Sequence, residues 1–272
     1  MNETTEGSTK NIRRDTEKDI WVVEADLCVA GAGMAGISAA VTAASAGKRV
    51  VLVDASQFLG GQTYNANIEC FGGFYSNDGE NARLLTSMVV GEMFDDMRKE
   101  NGIRELVSDT KVLAYDANIF LRWVEKKMQQ LGVTVLLGAV IYDAEMEERR
   151  IREISAATRY GTVKIRATGY VDASGDAVLG WLAGLLCQTA RETKVWGTQM
   201  MVLKGVDYTH EPPTAEEINR RAEEKSEQYH LKRTSNVIFY MPNRGDLFYG
   251  NMTHVETPMN PLQDSMISMI GR

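Results

Sequence analysis

The feature that most constrains this chain is Gly31-Ala32-Gly33-Met34-Ala35-Gly36, lodged between an apolar run, Asp26 to Ala30, and a stretch of small residues from Met34 to Ala46. The run reads as a buried strand and the stretch as a helix, with Gly47 placed to end it and Arg49 to Asp54 as a second strand. Strand, glycine turn, helix and strand make one βαβ unit. In that setting Gly31 permits a tight turn, Gly33 lets the backbone approach a pyrophosphate, and Gly36 brings helix close to strand. The N–H groups that open the helix, around Gly33, Met34, Ala35 and Gly36, have no intrahelical acceptor and attract negative charge. Asp54 stands 23 positions after Gly31. There its carboxylate can accept from both hydroxyls of an adenosine ribose and would repel a 2′-phosphate. The pattern points to a dinucleotide and leaves NAD and FAD both open.

Two later segments favour the longer cofactor. Ala55-Ser56-Gln57-Phe58-Leu59-Gly60-Gly61-Gln62 follows Asp54 directly, and its paired glycines allow a second close approach of backbone to ligand. Gly169-Tyr170-Val171-Asp172-Ala173-Ser174-Gly175-Asp176 reads as a strand ending in a Gly-Asp pair, where Asp176 can hold a polyol hydroxyl. A ribityl chain offers such hydroxyls.

With these motifs the chain resembles the FAD-dependent oxidoreductases of the glutathione-reductase-like superfamily, whose members open with G-x-G-x-x-G and later show a D-A-T-G-D-type sequence, here Asp172-Ala173-Ser174-Gly175-Asp176. The resemblance covers residues 22 to 186, and more loosely 197 to 207 and 246 to 261. It implies an α/β fold: a Rossmann-like parallel sheet with a β-meander and a partial substrate-side α+β region. It implies FAD held by Gly31, Gly33 and Gly36 at the pyrophosphate, Asp54 at the adenosine ribose, and Gly60 and Gly61 along the inner cofactor, with Met34, Ala35, Ala55 and Gln62 as further cofactor-binding candidates. Val140 would lie beside the adenine, and Gly175 with Asp176 at the ribityl region. Family members continue beyond the point where this chain stops, and the apolar Met266-Ile267-Ser268-Met269-Ile270 is consistent either with a fragment or with a second polypeptide completing the FAD and substrate sites.

Outside the motifs, residues 1 to 20 read as a disordered leader, 21 to 186 as the FAD-binding domain with a helical insertion over about 64 to 115, and 187 to 272 as a partial substrate or cap region. Helices are expected over Asn81 to Lys99, with Leu84, Leu85, Met88, Val89, Met93 and Met97 on one side, and over Asn118 to Leu131, capped by Asp116. Strands are expected over Val133 to Leu137, Val140 to Met146, Arg150 to Ala157, Thr162 to Ala167, Tyr170 to Asp172 and Val195 to Leu203. Thr214 and Glu217 fit a capping box opening a charged helix that runs to about His230.

Thirty basic against thirty-seven acidic residues give a net charge of -7, which argues against a nucleic-acid binder. No apolar stretch reaches the roughly 18 residues that span a bilayer. Cys28, Cys70 and Cys187 have neither metal-ligand nor C-x-x-C spacing, so the expectation is no metal and a reducing, cytoplasmic setting. No catalytic acid or base declares itself; His254 stands out only slightly from His210 and His230. The expected activity is electron transfer between bound flavin and a small organic substrate. The alternatives are an NAD-dependent dehydrogenase, and a nucleotide-binding subunit that is active only with a complementary polypeptide.

Overall fold

The computed structural model describes residues 20–257 apart from 87, 108–109, 189–194, 206–213, 232–233, 236 and 242–243. The leader, His210 and Met266 to Ile270 lie outside the described residues.

The first βαβ unit is β1 (Ile20–Ala30), α1 (Met34–Ser45) and β2 (Val50–Asp54). Its strands are parallel, with Leu27 opposite Val50 and Ala30 opposite Val53. Period-2 alternation decides which face each side chain serves: Val29, Val50 and Leu52 join one core, while Cys28, Ala30, Val51 and Val53 join another. Both faces are covered, as parallel sheets require, and that is why these strands read as unbroken apolar runs.

Between β2 and the next strand of this sheet the chain builds a separate layer. It comprises α2 (Gln62–Asn65), β3 (Cys70–Phe71), a 3-10 turn at Gly79–Asn81, α3 (Val89–Lys99), β4 (Ile103–Val107), β5 (Lys111–Tyr115) and α4 (Ala117–Gln130). The strands form a small antiparallel sheet in the order β3-β5-β4. The segment expected to be a helical insertion is therefore mixed. The helix expected from Asn81 begins eight residues later. Residues 82–85 instead fold back on 74–76, with the Leu85 N–H donating to the Phe74 carbonyl (2.8 Å) and the Ser76 N–H to that of Arg83 (2.9 Å). That hairpin leaves Leu84, Leu85 and Met88 exposed, and only Val90, Met93, Phe94 and Met97 form the buried stripe. Asp116 caps α4 as expected, its Oδ1 accepting from the N–H groups of Asn118 (2.9 Å) and Ile119 (3.2 Å).

The chain then returns through β6 (Thr134–Leu137) and the hairpins β7 (Val140–Glu147), β8 (Arg150–Thr158) and β9 (Gly161–Asp172). The two short strands expected over 162–167 and 170–172 are one, because β9 pairs in parallel with almost the whole of β1, from Ile20 opposite Thr162 to Ala30 opposite Asp172. The six-stranded sheet runs β6-β2-β1-β9-β8-β7, parallel through its first four strands and antiparallel through the meander. The carboxyl ends of β1, β2 and β9 thus lie side by side, where an open α/β sheet places its ligands.

After α5 (Val178–Leu182) come β10 (Val195–Lys204), α6 (Ala215–Glu224), β11 (Val237–Met241) and β12 (Arg244–Thr257). The strands form a second antiparallel sheet in the order β10-β12-β11. Leu247 and Tyr249 of β12 pack against Ala114 of β5. The charged helix α6 is shorter than expected. Thr214 Oγ1 accepts from the Glu217 N–H (3.1 Å), while the Glu217 carboxylate pairs with Arg221 (2.8 Å). Among the described residues no helix is long and apolar enough to cross a membrane.

Candidate cofactor-binding site

Four backbone segments meet at the carboxyl edge of the sheet. Gly31 takes φ +103, and a Cβ there would stand 2.2 Å from the Ala173 carbonyl oxygen and 2.8 Å from the Ser174 Cα. The turn after β1 therefore lies flat on the end of β9. Gly36 is as tightly placed: its Cβ would fall 1.8 Å from the Gly31 carbonyl oxygen. Both glycines serve protein packing. Gly33 differs, since a Cβ added to it would meet nothing within 4 Å. Gly33 is the N-cap of α1 and has no side chain to cap it, so no capping side chain occupies the first N–H groups of the helix. Met34 packs its side chain into the core behind the helix, leaving only its backbone for a ligand, and Ala35 is exposed.

The paired glycines approach the same turn from the other side. The Gly60 N–H donates to the Ala32 carbonyl (2.8 Å), and a Cβ on Gly61 would stand 2.7 Å from the Gly33 Cα. Gly60 and Gly61 both have positive φ, +107 and +52. Gln62, first residue of α2, is exposed, whereas Tyr64 packs on the core and Asn65 donates to the Ser56 hydroxyl (2.8 Å).

A cavity of about 170 Å³ lies beside the turn, lined by Gly31, Asp54, Ala55, Val140, Ser174 and Asp176, with apolar walls from Ala139, Ile141 and Val178 among others. Asp54 is held rigidly at its rim. Oδ2 accepts from the Ala32 N–H (2.5 Å) and Oδ1 from the Ser56 N–H (2.6 Å). Two accepted bonds leave about two lone-pair directions free on the carboxylate, enough for a pair of vicinal hydroxyls. The β6–β7 turn is tied to the same loop by the Ala139 N–H to the Asp54 carbonyl (3.0 Å) and the Gly138 N–H to that of Ser56 (2.8 Å). These bonds bring Val140 to the cavity.

The structure thus gathers Gly31, Asp54, Ala55, Val140 and Asp176 around one cavity, and Gly33, Gly60 and Gly61 around the neighbouring turn. Asp176 lines the same cavity as Asp54 and Val140, whereas the sequence reading puts it at a separate, ribityl region. Gly175 (φ +85) sits at the open side of the same loop. Asp172, which opens the second motif, shapes this loop. Oδ1 accepts from the Ser174 hydroxyl (2.6 Å) and N–H (3.1 Å), and Oδ2 from the Gly180 N–H (3.0 Å). Burial pushes the Asp172 carboxyl up, but the Ser174 and Gly180 bonds outweigh it and hold it below the usual carboxylate range. A carboxylate two residues before a serine is a local turn signal that sequence alone does offer.

Other candidates fall away from this edge. Burial pushes the Cys28 thiol up to about 12, and raises that of Cys70, so neither is an activated nucleophile. His230 lies in the turn after α6, and His254 pairs opposite Thr198 in the second sheet. Among the described residues no group of three or more His, Cys, Asp or Glu is placed to hold a metal ion. A larger groove of about 780 Å³ between α3 and α4 contains none of the glycine turns. Six of its charged residues pair with one another, Lys127 with Glu92 (2.5 Å), Lys99 with Asp96 (2.7 Å) and Arg122 with Glu100 (3.3 Å).

The sequence pattern of a family described as FAD dependent oxidoreductase matches residues 26–265. A geranylgeranyl bacteriochlorophyll reductase-like protein from Thermoplasma acidophilum superposes with a TM-score of 0.54 at 13% identity, over 92% of this chain and 62% of its own. A flavin-dependent brominase superposes with a TM-score of 0.50 at 13% identity, over 84% of this chain and 55% of its own. These likenesses show a shared fold, and the chain spans less than two thirds of either structure. No curated protein sequence matches it.

Proposed function

The chain belongs to the FAD dependent oxidoreductase family, and from that premise we propose that it binds FAD along the carboxyl edge of its parallel sheet and passes electrons between the flavin and a small organic substrate. The observation that carries this reading is the contrast between glycines. Gly31 and Gly36 are sealed by backbone, while a side chain on Gly33 would meet nothing within 4 Å. That is a cradle for a pyrophosphate, which a side chain would fill.

In this reading the N–H groups of Gly33, Met34, Ala35 and Gly36 receive the pyrophosphate, and Asp54 with Ala55 holds the adenosine ribose. Val140 and Ile141 flank the adenine, and Gly60, Gly61 and Gln62 run along the inner half toward the flavin. Asp176 and Gly175 belong with the adenosine end rather than the ribityl chain, because Asp176 lines the same cavity as Asp54 and Val140. Bound FAD supplies a two-electron carrier, and the protein orients it and excludes water. The glutathione-reductase-like arrangement is supported by the two motifs ending adjacent parallel strands, β1 and β9. A domain division near residue 186 is supported by the change from the six-stranded sheet to the separate β10-β12-β11 sheet.

A second reading is that another polypeptide completes the FAD and substrate sites. One experiment separates the two. The purified chain is titrated with FAD, its visible spectrum recorded, and a reductant added, with Asp54→Ala alongside. Flavin bands that shift on binding and bleach on reduction, weakened in the variant, are expected. A chain that leaves the spectrum of FAD unchanged sinks the first reading and favours the second.

A further inference from the structure

Tyr115 ends β5 in the inserted three-stranded sheet, yet its hydroxyl reaches the paired-glycine loop. The ring is fully buried. It stacks on Phe71 with centroids 3.9 Å apart and planes 19° apart, and sets its edge toward Phe120 at 6.0 Å. The hydroxyl donates to the Thr63 carbonyl oxygen at 2.6 Å. Thr63 lies in α2, two residues after Gly61, whose backbone rests on Gly33, and Phe120 Cε1 stands 2.8 Å from where a Gly60 Cβ would be. One aromatic cluster therefore backs the loop whose front meets the turn at the start of α1.

A phenylalanine at this position would fill the same space without burying a hydroxyl, which is costly unless hydrogen-bonded. Burial, reinforced by the charge of Glu69, raises the phenol well above its ordinary range, so the hydroxyl is a donor at every physiological pH.

We propose that Tyr115 is a positioning residue for the cofactor: through the Thr63 carbonyl it fixes the Gly60–Gly61 loop against the Gly33 turn, at the height from which that loop meets the flavin-side half of FAD. The inference rests on the FAD reading above. It gives a role to a residue that lies outside every glycine motif.

The test compares the full 272-residue chain with Tyr115→Phe and with Tyr170→Phe. Tyr170 is also bonded through its hydroxyl to backbone, accepting from the Ala167 N–H and donating to the Arg152 carbonyl (both 3.0 Å). It packs in the opposite core, so it reports the generic cost of losing such a hydroxyl. Amide hydrogen exchange is measured on the cofactor-free chains, and FAD and AMP are titrated separately. Tyr115→Phe is expected to speed exchange over residues 63–66 and to weaken FAD about five- to tenfold, the worth of one hydrogen bond. AMP, which lacks the flavin half, should move less than about twofold, and Tyr170→Phe should change neither ligand nor that exchange. Equal losses of FAD and AMP, the same loss in Tyr170→Phe, or unchanged exchange and FAD affinity would each overturn the proposal. A wild-type chain that takes up no FAD overturns the cofactor reading beneath it. That outcome is distinguishable, because the exchange comparison is made without cofactor.

Discussion

Glycines spaced alike in a sequence do unlike work once their surroundings are known. A methyl group on Gly36 would meet the Gly31 carbonyl at 1.8 Å, a backbone atom that cannot step aside. Gly36→Ala is therefore expected to destabilise the cofactor-free chain by about 2–3 kcal/mol or more, through overpacking. Gly33 has φ -74, which alanine adopts freely, and empty space where the methyl would go. Gly33→Ala should change the stability of the cofactor-free chain by less than about 1 kcal/mol, because the N-cap preference for glycine over alanine is offset by the lower entropy of the unfolded chain. Its cost should appear in FAD affinity, as about a tenfold loss from one displaced hydrogen bond to the pyrophosphate. Thermal melts without cofactor and FAD titrations separate the two variants. If both lose stability equally, the assignment of Gly33 to ligand approach is wrong.

The meander shows what an element gains from a single buried charge. Glu153 of β8 is 3% exposed and accepts from Lys164 Nζ (2.6 Å) and Arg166 Nε (2.7 Å) of β9. Burial pushes its carboxyl up, but the two cationic donors outweigh it and hold it below the usual glutamate range. A group with a depressed folded value contributes stability above its unfolded value, near 4.5. That contribution is lost as pH falls through the folded value. Lys164 and Arg166 reach solvent, which weakens the pairs, so Glu153→Gln is expected to cost only about 1 kcal/mol at pH 7. The gap from wild type should begin to narrow as pH falls below about 4.5 and close only once pH has passed the depressed folded value, where the glutamate is as neutral as the glutamine. Urea midpoints from pH 3 to 7 measure it, and a gap that is constant across the range would contradict the pairing. The insertion teaches the opposite lesson about elements. Leu84, Leu85 and Met88 carry helical spacing but belong to a hairpin and turn, because the paired strand segment 74–76 offers backbone partners that a helix pattern cannot reveal.

At the scale of the molecule, the six-stranded sheet is the one covered on both faces among the described residues. Val29, Ala30 and Val51 to Val53 are at most 1% exposed, between cores on both faces of the six-stranded sheet. Among the described residues, Leu247 and Tyr249 of the β10-β12-β11 sheet join Ala114 in a small cluster. Amide protons of the central strands are expected to exchange only through global unfolding, and those of β10 and β12 sooner, through a local opening. Equal protection in both sheets would show that they unfold as one unit. How much of this was legible in advance follows from the range of the interactions involved. Composition, alternation and the two glycine motifs determined the βαβ unit, the meander and the residues gathered at the sheet edge, because turn geometry and strand faces are set by neighbours a few positions away. The carboxyl bonds of Asp54 to Ala32, the companionship of Asp176 with Val140, and the reach of Tyr115 to Thr63 join residues 22, 36 and 52 positions apart. Only the tertiary structure decided those, since contact across such separations depends on how whole elements pack and leaves no period in the sequence.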